Sequence, residues 1–163
     1  MKMNEIDDFD LKILTLLQAN GRLTNQELSD LVGLSASQCS RRRIGLEHNH
    51  LILGYHARIA PQAMGREVLA MIEVRLISHR TEHRERFQSL VATLHSIIDA
   101  YKTTGDADYT LKVAVANLDS LNRLMELITA SDSVAHIKTA VVLERLKENS
   151  VVTVAEEPAS ALS

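Results

Sequence analysis

The sequence predicts an α+β protein: an N-terminal winged helix-turn-helix, then a C-terminal domain in ferredoxin-like β-α-β-β-α-β order. Three observations carry that expectation. Two helix-opening signatures, Thr24 to Glu27 and Ser35 to Gln38, flank Gly33, so two helices meet across a short turn. Beyond residue 67 the apolar period switches repeatedly between that of a strand and that of a helix. The 163 residues are 45% apolar and 24% charged, which suits one domain or two small ones and is too apolar for a disordered chain.

The first helix opens at Asp7 or Asp8 and carries Phe9, Ile13, Leu16 and Leu17 on one face. It ends at Asn20-Gly21, with Gly21 expected in the left-handed conformation that closes helices. Thr24 caps the second helix, Glu27 reaches back to the cap, and Leu28, Leu31 and Val32 form its apolar face before Gly33 stops it. Ser35 and Gln38 repeat the device and open a third helix through about Glu47. Leu51 to Arg58 reads as a short β-hairpin, or wing.

Pro61 and Gly65 mark a linker. Val68, Ala70, Ile72, Val74 and Leu76 alternate with Leu69, Met71, Glu73 and Arg75, a strand. Phe87, Leu90, Val91 and Leu94 have helical spacing. Ile97 to Thr104 and Tyr109 to Val115 are strands on either side of a tight turn. A second helix, carrying Leu121, Leu124, Met125 and Ile128, is entered through Asp119, and Val134 to Leu146 is the last strand. This order puts both helices on one face of a four-stranded antiparallel sheet. Leu69 and Met71 fall on the other face, which is therefore expected to be apolar and to pair with a second copy. The boundaries expected are 1–60, a linker over 61–67, a domain over 68–147 and a flexible tail over 148–163.

Cys39 is the only cysteine, so an intrachain disulfide is impossible and a reducing compartment is expected, with Cys39 itself a buried small hydrophobe. The opening MKMNEIDDFD is no signal peptide, and no apolar run reaches the roughly 18 residues of a membrane span. A cytoplasmic protein without a membrane partner is the expectation.

The net charge of −3 argues against nucleic acid, but its distribution argues for it. Residues 35–58 hold four arginines against one glutamate. The third helix carries Ser35, Ser37, Gln38, Ser40, Arg41, Arg42 and Arg43, and little apolar surface beyond Cys39, Ile44 and Leu46. Arginine forks match phosphate and guanine, serine and glutamine bond phosphates and bases, and a helix N-terminus adds its own amides. These residues, with Thr24, are the candidate contacts to double-stranded DNA; a merely solvated helix face is the competing reading.

The sequence resembles the Lrp/AsnC family of bacterial and archaeal transcriptional regulators. Phe9 to Leu14 followed by Asn20-Gly21-Arg22 is similar to the family's opening helix and turn. Leu34-Ser35 through Arg41-Arg42 and Leu46-Glu47 resemble its recognition helix, and Ile52 with Gly54-Tyr55 its wing. Thr104 to Val113 resembles its Gly-Asp-x-Asp-Tyr signature, and Val134 to Lys147 its closing strand. The likeness spans residues 5–147. It implies a DNA-binding domain joined to a small-ligand domain that dimerises, dimers that assemble into octamers or similar rings, and amino acids as effectors. The sequence departs from the family where Gln38 replaces a common proline, Arg43 an apolar residue, Ala107 an aromatic and His50 a glycine.

The turn Gly105-Asp106-Ala107-Asp108 could be a plain hairpin turn, since turns favour these residues. Its carboxylates and exposed amides also complement a zwitterion. Tyr101, Thr103, Thr104, Gly105, Asp106, Asp108 and Thr139 are accordingly the candidate effector-binding residues, and an α-amino acid the expected effector. The histidine pairs His48/His50 and His79/His83 come without a cysteine or carboxylate at a metal-site spacing, so surface or capping roles are expected, and no metal or cofactor. No Ser-His-Asp order, phosphate-binding loop or dinucleotide glycine motif is present, so the expectation is a regulator and not an enzyme. Two other readings are a small enzyme on a ferredoxin-like fold and a ligand-binding or subunit-interaction protein without DNA. Neither accounts for the arginine-loaded helix.

Overall fold

The computed structural model describes residues 6–148, which divide into two compact units, one of residues 58–146 and one that holds the residues up to Ala57 together with Lys147 and Glu148. The N-terminal unit is three helices, α1 (Asp8–Ala19), α2 (Asn25–Val32) and α3 (Ala36–His48). Each opens with a reciprocal capping box, Asp7/Asp10, Thr24/Glu27 and Ser35/Gln38. These boxes satisfy amides that a helix start leaves without partners. Gly33 closes α2 at φ 86°, a conformation other residues adopt at a cost. Ile13, Leu17, Leu28, Val32, Cys39 and Leu46 form the core.

The C-terminal unit runs β1 (Val68–Leu76), α4 (Thr81–Thr93), β2 (Ile97–Lys102), β3 (Tyr109–Val115), α5 (Leu118–Thr129) and β4 (Val134–Val141). The sheet is antiparallel in the order β2-β3-β1-β4, the split βαβ arrangement the sequence predicts. Register assigns the two faces. Ala100, Leu111, Ile72 and Thr139 form one row across all four strands, with Leu111 and Ile72 in the core beneath the helices. Tyr101, Thr110, Glu73 and Lys138 form the neighbouring row on the open face.

The structure differs from the sequence's expectations in several elements. Gly21 is not left-handed: α1 ends on an extended Asn20, and a Cβ on Gly21 would lie 3.3 Å from the Tyr55 ring. Glycine is there for a close approach. Leu51 to Arg58 forms no strand and hence no β wing. Its Leu51 and Ile52 pack against the helical core while Leu53 is 88% exposed, and Tyr55 is drawn back onto α3 by its hydroxyl. Pro61–Met64 is a 3-10 turn closed by Gly65. Asn117, not Asp119, caps α5, because its side chain accepts from the Ser120 amide. β4 stops at Val141, opposite Ala70, with one further bond from the Val142 amide to the Leu69 carbonyl, and beyond it Leu143 and Leu146 are exposed. The tail expected over 148–163 lies, apart from Glu148, outside the described residues.

The open sheet face is not the apolar surface expected of it. At one end Leu69, Met71, Ala114 and Ala140 share the face with Lys112 and Asp99, with Leu69 and Ala114 already buried, while Glu73, Arg75, His136 and Lys138 make the other end charged. Period-two counting assigns a residue to a face but says nothing of how four strands pool their contributions.

Candidate functional site

The three adjacent arginines of α3 have three different fates. Arg42 turns back toward α1, its Nη1 donating to Asp10 Oδ1 at 2.8 Å and lying 2.7 Å from Asp7 Oδ2. Its guanidinium also sits 5.5 Å from the Phe9 ring centroid. Asp10 is buried, so Arg42 supplies the cation that this carboxylate needs away from water. The Asp10 amide, with Arg42 beside it, holds the Asp7 carboxyl below its usual range, and the Asp10 and Asp7 carboxylates hold the Arg42 pKa above its own. Arg43 lies over the Tyr55 ring at 4.6 Å, donates to the Tyr55 hydroxyl at 2.9 Å and to the Leu23 carbonyl at 3.0 Å, and pairs with Glu47 at 3.3 Å. Tyr55 in turn donates to Glu47, and burial raises the pKa of its hydroxyl. Among the described residues only Arg41 of the three is exposed with no partner.

Helical geometry explains the division. Cys39 and Leu46 face the core, and Arg42 and Arg43 lie close enough to that side to reach α1 and Tyr55. The opposite stripe is Ser37, Arg41, Ile44 and His48, three or four residues apart and all exposed. Gln38 is exposed beside it, although its Oε1 is taken by the Ser35 amide and hydroxyl. Ser35 and Thr24 are exposed at the N-termini of α3 and α2, and Ser40 is half-buried. Reasoning from sequence misses Ile44 and His48; the spacing from Ser37 through Arg41 is the available signal.

The expected effector residues fall into three groups. Thr103 to Asp108 make the β2–β3 turn, in which the Thr103 hydroxyl donates to the Ala107 carbonyl and Gly105 holds φ 108°. Asp108 extends the ladder: its amide donates to the Val74 carbonyl and its Oδ2 accepts the Leu76 amide at 2.8 Å, while His79 lies 3.3 Å from Oδ1. Asp106 is free of such work. With Ala107 it lines a cleft of about 180 Å³ together with Glu73, Val74, Arg75, His136 and Lys138. Tyr101 lies in the same open-face row as Glu73 and Lys138. Thr139 does not join them: it lies in the row beneath the helices, its hydroxyl buried and unpartnered. The structure thus puts Asp106 and Asp108, two residues apart, into different surroundings.

The cleft mixes charges. Lys138 and Glu73 approach to 3.8 Å, while among the described residues neither Arg75 nor Asp106 has an ion-pair partner. The strand alternation separates Glu73 and Arg75 from the core set, but nothing local in the sequence brings β4 beside them. Of the histidines, His83 is bound through Nδ1 to the Ser78 hydroxyl at 2.7 Å, and among the described residues no three His, Cys, Asp or Glu side chains converge as metal ligands. No described helix is long and apolar enough to cross a membrane.

Comparison with known proteins matches residues 6–47 to the AsnC-type helix-turn-helix domain and residues 69–152 to the Lrp/AsnC ligand binding domain. The chain is 34% identical to the proline dehydrogenase transcriptional activator of Rhizobium radiobacter, over 92% of this chain and 97% of that protein. It is 33% identical to the leucine-responsive regulatory protein of Haemophilus influenzae, over 88% of this chain and 87% of that one. A transcriptional regulator from Neisseria meningitidis, solved as its L-Met complex, superposes with a TM-score of 0.83 at 31% identity, covering 87% of this chain and 92% of that chain. AsnC of E. coli superposes with a TM-score of 0.77 at 26% identity, covering 90% and 98%.

Proposed function

The chain belongs to the Lrp/AsnC family of helix-turn-helix transcriptional regulators, and from that premise we propose that it reads its operator with the outer stripe of α3 and senses a free α-amino acid in the Glu73–Lys138 cleft. It is a regulator and not an enzyme. Arg41 carries the charge toward DNA, helped by Ser37, Gln38 and the α2 and α3 N-termini, while Arg42 and Arg43 hold α3 in place. The observation that supports the sensor is the unpaired Arg75 and Asp106 in one cleft. A zwitterion supplies both missing partners, its carboxylate meeting Arg75 and Lys138 and its ammonium Asp106 and Glu73. The cleft holds on the order of six water volumes and is floored by Ala107, which suits a small amino acid.

The open face carries this cleft at its charged end, so a second copy packed across the whole face would touch a bound effector. We infer a homodimer, with further assembly into rings, acting in the cytoplasm. Binding that favours one assembly shifts DNA affinity by the effector's preference between states, on the order of 5- to 150-fold. A gel shift on DNA upstream of its own gene, repeated with each of the twenty amino acids, tests both halves. The expected result is a retarded complex whose affinity moves with at least one amino acid, and Asp106→Ala should abolish that response while leaving DNA binding intact. A response unchanged in Asp106→Ala would remove the effector from this cleft, and no retarded complex would remove the reading of α3.

A further inference from the structure

An isoleucine stands in the middle of the DNA-reading stripe. Ile44 is 59% exposed, and its direction on α3 lies away from Cys39 and Leu46, which carry the helix into its core. It follows Arg41 by three residues and precedes His48 by four, so it lies between a guanidinium and an imidazole on one face. That neighbourhood selects a polyanion over an apolar protein surface as the occupant. A duplex meeting this stripe offers Arg41 its phosphates and guanine edges. The apolar feature it offers Ile44 is the thymine C5-methyl group, which projects into the major groove.

We propose that Ile44 is a specificity-determining residue, whose side chain covers a thymine methyl one helical turn from the contact made by Arg41. The proposal rests on α3 as the reading helix and goes beyond it, since it assigns a base class to a residue without hydrogen-bonding groups. The half-site then carries a thymine within a few base pairs of the Arg41 contact. Arg41 brings the helix to the groove; Ile44 distinguishes thymine from cytosine by the methyl alone.

The experiment uses the full-length protein and the tightest sequence recovered from a random duplex library, in which single thymines are replaced by deoxyuridine to delete only the methyl. For the wild type, replacement at one thymine in a single half-site should weaken binding about fourfold, the size of one buried methyl group. Ile44→Ala should bind the thymine duplex more weakly and show no further loss with deoxyuridine at that position. Arg41→Ala should bind more weakly still but keep the deoxyuridine penalty. Ile44→Val should retain most of the methyl discrimination. Thermal melting of Ile44→Ala should match the wild type, because the side chain is outside the core. An Ile44→Ala protein with the full deoxyuridine penalty, or with unchanged affinity for the thymine duplex, would overturn the assignment while leaving α3 as the reading helix. Failure of the library to yield any preferred sequence would overturn both.

Discussion

Arg41→Ala and Arg42→Ala are expected to fail in opposite ways. Arg41 is exposed and unpaired among the described residues, so its loss should leave thermal stability within about 0.5 kcal/mol of wild type. If it meets a phosphate, operator affinity should fall and the slope of log affinity against log salt should shrink by about one. Arg42→Ala strands the Asp10 carboxylate, whose side chain is 8% exposed, and should cost roughly 1–3 kcal/mol of stability in a denaturant titration. A stable Arg42→Ala with weakened DNA binding would reverse the roles of the two arginines. Three adjacent arginines are visible in the sequence as a basic run and nothing more. What separates them is the angle each makes with the core, and which carboxylates or rings lie within reach.

Helix starts in the N-terminal unit are pH-sensitive elements. Asp7 and Glu27 each accept a backbone amide in a capping box, which holds their carboxyls below the usual range. A carboxyl with a depressed folded-state pKa contributes stability above its unfolded value and loses it as pH falls through the folded one. Acid unfolding of this unit should therefore begin below about pH 4, followed by circular dichroism. Asp7→Asn should flatten that onset, and an unchanged profile would show that the cap carboxylate does not drive it. After α3, His50 holds φ 56°, a left-handed conformation that glycine adopts without a steric cost. His50→Gly should raise stability by about 1 kcal/mol in chemical denaturation, by relieving that backbone strain. The capping boxes are legible in the sequence itself, because they depend on residues three apart in the chain. The strain at His50 shows there only as an odd residue in a familiar place.

Assembly is the property of the whole molecule most exposed to test. One end of the open face presents Met71 and Ala140 in a row shared with Lys112 and Asp99, next to the buried Leu69 and Ala114. Full-length protein at micromolar concentration should sediment as a dimer or larger. Met71→Asp, which replaces the large apolar side chain of that row by a charge, should shift it toward monomer while the circular dichroism spectrum stays that of a folded chain. A wild-type monomer would rule out an effector response carried by a shared surface, leaving the cleft to act within one subunit.

Order along the chain determined a large part of this protein. Capping residues three apart, an apolar period of two or of 3.6, and a glycine between two helix starts are local patterns, and they place three helices and then the β-α-β-β-α-β succession with small errors at their ends. In sequence β4 reads as longer than it is, because strand length depends on a partner strand. The wing reads as a hairpin because its residues suit one, although nothing pairs with them. The effector region shows the same limit more sharply. Asp106 and Asp108 look equivalent in the turn, yet the Leu76 amide claims Asp108 while Asp106 is left to the cleft. Thr139 and Lys138 are adjacent in sequence and lie on opposite faces of the sheet. Tertiary structure decided these points because strand pairing joins residues distant in the chain, and which neighbour reaches a side chain first depends on register and not on order.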